Sequence, residues 1–148
     1  MTGAVSVLVV DDEPVVRKML VLALAEAGCH VVGQAADGVE GVALARTLQP
    51  DAILLDIRMP NLDGLGAGRQ IRTHDPEVRL AFFSAYDDPA LRQEAIAIGA
   101  IAFLIKGCPL RDVVDALQGP VSTGSCAGRG LKEAGTQLIG QITGRALR

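Results

Sequence analysis

The chain has 148 residues and a mass of 15.4 kDa, which is enough for one ordinary domain. Apolar residues make up 49% and charged residues 21%, as in a typical globular protein. No run approaches the roughly 18 apolar residues of a membrane span, and the N-terminus lacks the basic start of a signal peptide. The three cysteines, Cys29, Cys108 and Cys126, are odd in number and lack metal-ligand spacing, which argues against a disulfide framework or a zinc site. We therefore expect a cytoplasmic protein without membrane contact.

The formal net charge of -3 conceals a difference between two parts of the chain. Residues 1–120 hold 10 Lys and Arg against 16 Asp and Glu, whereas residues 121–148 hold four against one. Phosphate contacts need clustered basic side chains, so the acidic part argues against direct nucleic-acid binding by this chain.

The first 118 residues alternate short apolar runs with longer amphipathic segments. Near-continuous apolar runs of this length are typical of buried parallel strands. The five predicted strands are Val5–Val10, Val31–Ala35, Ala52–Leu55, Leu80–Phe83 and Ile101–Ile105.

The segments between these runs predict helices with recognisable ends. Pro14 and Pro89 suit first helical turns, and Asp37 can cap a helix through its carboxylate. The predicted helices run from Pro14 to Gly28, from Asp37 to before Pro50, from Pro89 to Gly99, and from Leu110 to Leu117. The stretch from Gly64 to Arg72 has the weakest helical pattern, because each of its three glycines costs about 1 kcal/mol relative to alanine in a helix.

Five strand–helix units in strict alternation predict an α/β fold, a doubly wound parallel sheet with helices on both faces. In such folds the functional site lies outside the carboxyl ends of the strands. Polar side chains follow four of the five predicted strands at that end: Asp11, Asp12, Glu13, Asp56, Ser84 and Lys106.

These side chains form a set suited to phosphoryl chemistry. Three aspartates brought together would repel one another, and a hard cation such as Mg²⁺ relieves that repulsion. Lys106 adds a fixed positive charge for a phosphoryl oxygen, and Ser84 adds a hydrogen-bond donor. A carboxylate nucleophile that forms an aspartyl phosphate is a recognised form of covalent catalysis.

The residues around these positions resemble the receiver domain of two-component response regulators. The matching segments are Val7–Glu13, Leu54–Gly64, Phe83–Ala85 and Gly99–Lys106. The resemblance covers residues 4–118 and implies a flavodoxin-like five-stranded sheet of order 2-1-3-4-5. It also implies a phosphorylation-activated switch in a phosphorelay, which accepts its phosphoryl group from a histidine kinase or a phosphotransfer protein.

The resemblance assigns the phosphoacceptor and the metal ligands. Asp56 is expected to receive the phosphoryl group. Asp12, Asp56 and the backbone carbonyl of Arg58 are expected to ligate Mg²⁺, with Asp11 acting mainly through water.

The resemblance also assigns the switch. Lys106 is expected to contact the phosphoryl group, and Ser84 to move toward it and bond it. Phe103 occupies the aromatic switch position, which turns inward as Ser84 moves. The output is expected at the face of the fourth helix, fifth strand and fifth helix, through which a homodimer could form.

Two further positions bear on how long the phosphoryl group survives. Arg58 and Tyr86 stand where, in this family, side chains shield or orient the attacking water, and their size predicts slow hydrolysis. Beyond Lys106, the segment Gly107–Asp112 resembles regulators of the NarL/FixJ type, whose output domain is a DNA-binding helix-turn-helix.

Other readings stay open for the function and for the C-terminal segment. A phosphatase of the haloacid-dehalogenase type fits poorly, because it needs an acid two residues after the nucleophile, where Arg58 stands. A phosphorylation-independent binding module and the receiver portion of a DNA-binding regulator without its output domain are both compatible. Residues 119–148 are rich in glycine and serine, and predict a flexible basic tail or a short helix. We expect no catalytic turnover beyond the domain's own phosphoryl transfer and dephosphorylation.

Overall fold

A computed structural model describes residues 3–119. Five strands and five helices alternate along this part of the chain. In order, they are β1 (Ser6–Val10), α1 (Pro14–Glu26), β2 (His30–Ala35), α2 (Gly38–Leu48), β3 (Ala52–Asp56), α3 (Gly64–His74), β4 (Arg79–Ser84), α4 (Pro89–Ile98), β5 (Ala102–Ile105) and α5 (Leu110–Gln118). The tail predicted over residues 119–148 lies, but for its first residue, outside the described part.

The strands form one parallel sheet of order β2-β1-β3-β4-β5. This confirms the predicted fold and strand order. The differences are single residues at strand ends, such as Val5 and Ile101, which the structure leaves outside β1 and β5. Within the described residues, no helix is long and apolar enough to cross a membrane.

The sheet separates two apolar cores, because successive side chains of a strand point to opposite faces. Leu8 and Val10 of β1 point into the core beneath α2, α3 and α4. Val7 and Val9 point into the core beneath α1 and α5. The sheet lies buried between two helical layers, as expected for a parallel sheet.

The glycine-rich segment is helical despite its low propensity, because its glycines let α3 lie close to the sheet. A side chain at Gly64 would meet the carbonyl oxygen of Asp56, and a Cβ at Gly68 would lie 2.8 Å from the ring of Phe82. The side chain of Asp63 caps the helix by accepting from the backbone amide of Gly66 at 2.8 Å. Packing and capping together outweigh the weak helical tendency of this segment.

The capping signals in the sequence are found where they were predicted. Asp37 accepts a hydrogen bond from the amide of Glu40 and begins α2. Gly99 ends α4 with a φ of 89°, a left-handed conformation that favours glycine. Asp37 thus fixes the start of α2, and Gly99 fixes the end of α4 just before β5.

Candidate functional site

Three aspartates converge at the carboxyl edge of the sheet. Asp56 is the last residue of β3, while Asp11 and Asp12 directly follow β1, its neighbour in the sheet. Asp11 and Asp56 are buried and Asp12 is exposed. A carboxylate oxygen of each lies within 4.8 Å of those of the other two. Adjacent strand ends therefore create the acidic cluster that the sequence predicted.

Lys106 reaches the cluster from β5, on the far side of β4. Its backbone amide donates to the carbonyl oxygen of Ser84 at 2.7 Å, which fixes where the side chain leaves the sheet. Its Nζ lies 3.2 Å from Oδ2 of Asp11 and 3.3 Å from Oδ1 of Asp56. It also lies 3.4 Å from Oε1 of the exposed Glu13. One ammonium group thus faces three carboxylates.

The balance of charges leaves this cluster short of positive charge. Burial and, after it, the nearby carboxylate of Asp11 raise the pKa of Asp56 to about 7 against the opposing effect of Lys106. Burial by itself would lower the pKa of Lys106, but the carboxylates of Asp56 and Asp11 outweigh it and raise that pKa. Both groups therefore favour their protonated forms, as expected where negative charge is in excess.

Asp11 shows where a cation fits. Its Oδ1 accepts from the backbone amide of Glu13 at 2.9 Å, whereas its Oδ2 is buried without a hydrogen bond. The ion pair with Lys106 is the contact that Oδ2 makes. A buried carboxylate oxygen without a donor is unfavourable unless a cation meets it. The oxygen donors, their spacing and this buried Oδ2 without a hydrogen-bond donor all fit Mg²⁺.

Ser84 is buried at the carboxyl end of β4, and Phe103 is buried within β5, where it pairs with Phe82. The Ser84 hydroxyl donates to the carbonyl oxygen of Tyr86 at 2.9 Å and accepts from the Tyr86 amide at 3.0 Å. Phe103 has no exposed surface and packs in the core beneath α2, α3 and α4. Ser84 would therefore have to release Tyr86 before it could bond a phosphoryl oxygen.

Arg58 and Tyr86 meet at the entrance to the site. The guanidinium carbon of Arg58 lies 5.2 Å from the centroid of the Tyr86 ring, a cation–π contact between two exposed side chains. The sequence predicted a role in hydrolysis for Arg58 and Tyr86 but did not predict their contact. The pair links the loop after β3 to the loop after β4.

Comparison with known proteins decides the family. The family model described as "Response regulator receiver domain" matches residues 7–118. The chain belongs to this family. The receiver domain is 35% identical to the transcriptional regulatory protein NarL of Mycobacterium tuberculosis over 141 residues, which cover 95% of this chain and 62% of that protein. It is 38% identical to the chemotaxis protein CheY of Thermotoga maritima over 111 residues, which cover 75% of this chain and 92% of CheY.

Solved structures agree with this assignment. The signal receiver domain of NarL from Mycobacterium tuberculosis matches the receiver domain with a TM-score of 0.74 and 36% identity, covering 78% of this chain and 94% of that structure. CheY of Borrelia burgdorferi, in a complex with CheX, BeF₃ and Mg²⁺, matches with a TM-score of 0.74 and 28% identity, covering 77% and 87%. The chain spans 62% of the length of NarL and 54% of that of the response regulator GacA.

The structure of the receiver domain adds supporting contacts that sequence reasoning missed. Arg17 donates to the carbonyl oxygen of Asp11 at 2.6 Å and so fixes the turn that presents the acidic cluster. Asn61 donates to Oδ2 of Asp37 at 2.7 Å and ties the loop after β3 to the start of α2. Arg17 lies in the first turn of α1, and no sequence pattern marks it as a residue that contacts the site. The φ of 67° at Asn61 follows a recognisable turn preference of asparagine, which could have marked this loop as rigid.

Proposed function

We propose that the chain is a phosphorylation-activated signalling switch that receives a phosphoryl group on Asp56 from a histidine kinase or a phosphotransfer protein. The observation that carries this proposal is the buried carboxylate of Asp56, which Lys106 approaches to 3.3 Å beside two further aspartates. Membership of the receiver family and the agreement with CheY and NarL support it.

In the proposed transfer, a carboxylate oxygen of Asp56 attacks the phosphorus of the donor. The bond from phosphorus to the donor imidazole nitrogen breaks, and the imidazole leaves with the electron pair. Asp56 must be deprotonated to attack, and its raised pKa disfavours the carboxylate. A positively charged neighbour stabilises the carboxylate and so lowers that pKa. Lys106 stands where it can neutralise charge on the incoming phosphoryl oxygens.

Asp11, Asp12, Asp56 and the backbone carbonyl of Arg58 are the proposed ligands of Mg²⁺. When bound, this ion would supply positive charge that stabilises the carboxylate of Asp56 and the phosphoryl oxygens. The buried Oδ2 of Asp11, which has no hydrogen-bond donor, and the spacing of the three carboxylates support the first three ligands. The Mg²⁺ in the complex of the Borrelia CheY supports the choice of metal.

The proposed signal is a change in the position of Ser84. Its hydroxyl now bonds the backbone of Tyr86, and bonding a phosphoryl oxygen instead would draw the loop before α4 toward the site. Phe103, which is fully buried in β5 of this structure, is the proposed second element of the switch. The change would shift the population between two arrangements of the α4, β5 and α5 face, where a homodimer or another partner would bind.

Incubation of the protein with acetyl phosphate and Mg²⁺ is expected to give a single phosphoryl adduct by intact mass. The Asp56→Asn variant is expected to give none, because an amide oxygen is too weak a nucleophile. The measurement is repeated with a chelator, which should abolish the adduct if the acidic cluster must hold the ion.

Asp63→Asn is the matched control for this experiment. Asp63 is an exposed carboxylate in the loop that follows the proposed phosphoacceptor, and asparagine caps a helix as well as aspartate does. Its adduct should equal that of the wild type. An adduct that survives in Asp56→Asn would refute the assignment of the phosphoacceptor.

Removal of the Arg58 side chain is expected to shorten the life of the phosphoryl group. Arg58 and Tyr86 cover the entrance together, and an exposed cation–π contact contributes about 0.5–1 kcal/mol. If that contact holds the cover closed, Arg58→Ala should hydrolyse about two- to fivefold faster. The decay of the adduct after removal of acetyl phosphate measures this. Tyr86→Ala should have a similar effect, and the double variant should add little, since either change breaks the same contact.

A further inference from the structure

A cavity opens between the C-terminal ends of α2 and α3, at the amino end of the sheet. Its volume is about 390 Å³, which lies within the usual range of small-molecule sites. Ile53, the second residue of β3, lines this cavity, whereas Asp56 ends the same strand at the opposite edge of the sheet. The three residue steps between them correspond to about 10 Å along a strand. The cavity is therefore separate from the acidic cluster.

The walls of the cavity are held in place by contacts at the other end of the two helices. The backbone of Gly38, at the start of α2, packs so closely on Leu62 that a side chain there would meet the Leu62 carbonyl oxygen. Asn61 also donates to Asp37 at this end. The cavity thus lies between two helices whose first turns are tied together, rather than under a loop.

The side chains that line the cavity differ in polarity according to their burial. An apolar floor of buried or half-buried side chains comes from both helices, from β3 and from the segment before β4: Val42, Ala45, Ile53, Ile71 and Val78. More exposed polar side chains form the rim: Arg46, Gln49, His74 and Asp75. An apolar cavity on which a few polar groups converge is the usual make-up of a site for a small molecule.

Arg46 gives the rim a positive charge that lacks an acidic partner. Its guanidinium bonds Nε2 of His74 and so bridges the two helices at the rim. Arginine nitrogens can only donate, so His74 accepts this bond through an unprotonated nitrogen. Within residues 3–119, no carboxylate forms an ion pair with Arg46. A carboxylate would be a stronger acceptor for this guanidinium than a neutral imidazole, because both partners would then be charged.

Asp75 is the one carboxylate among the described residues that line the cavity, and it has other partners. Its Oδ1 accepts from the backbone amide of Glu77 at 3.0 Å. Burial lowers the pKa of Arg72, and the negative charge of Asp75 opposes that effect from nearby. The charge of Asp75 is therefore balanced in part by Arg72, while Arg46 remains available to an anion.

We propose that this cavity binds a small organic anion that has an apolar body and one carboxylate group. The apolar body would cover the floor, which is the part of the cavity that water solvates poorly. The carboxylate would accept from Arg46 in place of the His74 ring. A ligand of this kind would bind independently of phosphorylation, because the acidic cluster lies at the other edge of the sheet.

The test is a methyl NMR titration of the full chain with 4-phenylbutyrate. The δ1 methyl groups of Ile53 and Ile71 report on the floor, and that of Ile105 in β5 reports on a distant part of the sheet. Saturable shifts are expected at Ile53 and Ile71, with half-saturation in the low millimolar range for a probe of about twelve non-hydrogen atoms. The neutral 4-phenylbutyramide should bind about tenfold more weakly, because it offers no negative charge to Arg46.

Variants separate the charged rim from the apolar floor. Arg46→Met should weaken binding of 4-phenylbutyrate about tenfold and leave binding of the amide unchanged. Arg69→Met is the matched control, because Arg69 pairs with Glu94 of α4 and does not line the cavity. Ala45→Leu adds volume to the floor and should abolish binding of both probes. Asp56→Asn should bind 4-phenylbutyrate as the wild type does, which distinguishes this site from the proposed phosphoacceptor.

Three results would overturn the proposal. The first is the absence of saturable shifts at Ile53 and Ile71. The second is equal binding of the acid and the amide, or wild-type binding of the acid by Arg46→Met, since either result would remove the role of the positive charge. The third is a larger shift at Ile105 than at Ile53, which would place the probe elsewhere on the domain.

Discussion

Replacement of Arg72 by methionine is expected to lower the free energy of unfolding by about 3 kcal/mol, because several backbone carbonyl oxygens lose their charged donor together. Nε of Arg72 donates to the carbonyl oxygen of Ile98 at 3.1 Å, and Nη2 to that of Gly99 at 3.1 Å. Nη1 donates to the carbonyl oxygens of Asp75, Pro76 and Val78 at 3.4, 2.9 and 2.7 Å. One guanidinium thus joins the end of α3, the connection to β4 and the end of α4.

Urea unfolding of the two proteins measures this difference. Arg69→Met is the matched control, because Arg69 lies on the same helix and pairs with Glu94 at 3.4 Å with both side chains about half exposed. An exposed pair contributes about 0–1 kcal/mol, so this variant should remain close to the wild type. Equal losses in the two variants would show that the carbonyl contacts of Arg72 contribute nothing special.

Asp56→Asn is expected to raise the free energy of unfolding by about 2 kcal/mol at pH 8 without Mg²⁺. Burial and the Asp11 carboxylate raise the pKa of Asp56 to about 7 in the folded protein. A raised pKa means that the folded state binds the proton more tightly than the unfolded state. The stability from Asp56 is therefore fully present below pH ~4 and is lost as the pH rises through about 7. Asparagine remains neutral and avoids this loss.

Urea unfolding from pH 5 to pH 8, with a chelator present, tests the predicted direction of this pH dependence. The gain from Asp56→Asn should shrink toward pH 5, and Asp63→Asn should follow the wild type throughout. Mg²⁺ at pH 8 should stabilise the wild type more than Asp56→Asn, because it binds the folded state through the cluster. A gain independent of pH would contradict the raised pKa.

The sequence predicts the sheet well because its signals are local. Apolar runs of strand length and the caps at Asp37 and Gly99 act within a few residues, and the structure places strands and helix ends there. The clustering of Asp11, Asp12 and Asp56 was predictable as well, since parallel strands bring their carboxyl ends to one edge.

Other features depend on residues that are distant in the chain. Nothing near Arg72 in the sequence marks Ile98 and Gly99 as its partners, which approach only when α3 and α4 pack together. The fit of Gly68 against Phe82 is likewise invisible until the helix lies on the sheet. The position of the Ser84 hydroxyl depends on the loop that follows it, so the sequence could assign its role but not its present partner.

The division of the interior by the sheet constrains how a partner could distinguish two signalling states. Helix α4 packs in one core and α5 in the other, so each helix rests on its own set of buried side chains. The movement proposed for Ser84 begins in the loop before α4, so a protein that bound α5 alone would contact only one of the two helices of the proposed output face. We expect a partner that distinguishes the proposed states to contact both helices and to respond to the offset between them. Recognition of the signal is then a matter of spacing between helices rather than of a newly exposed residue.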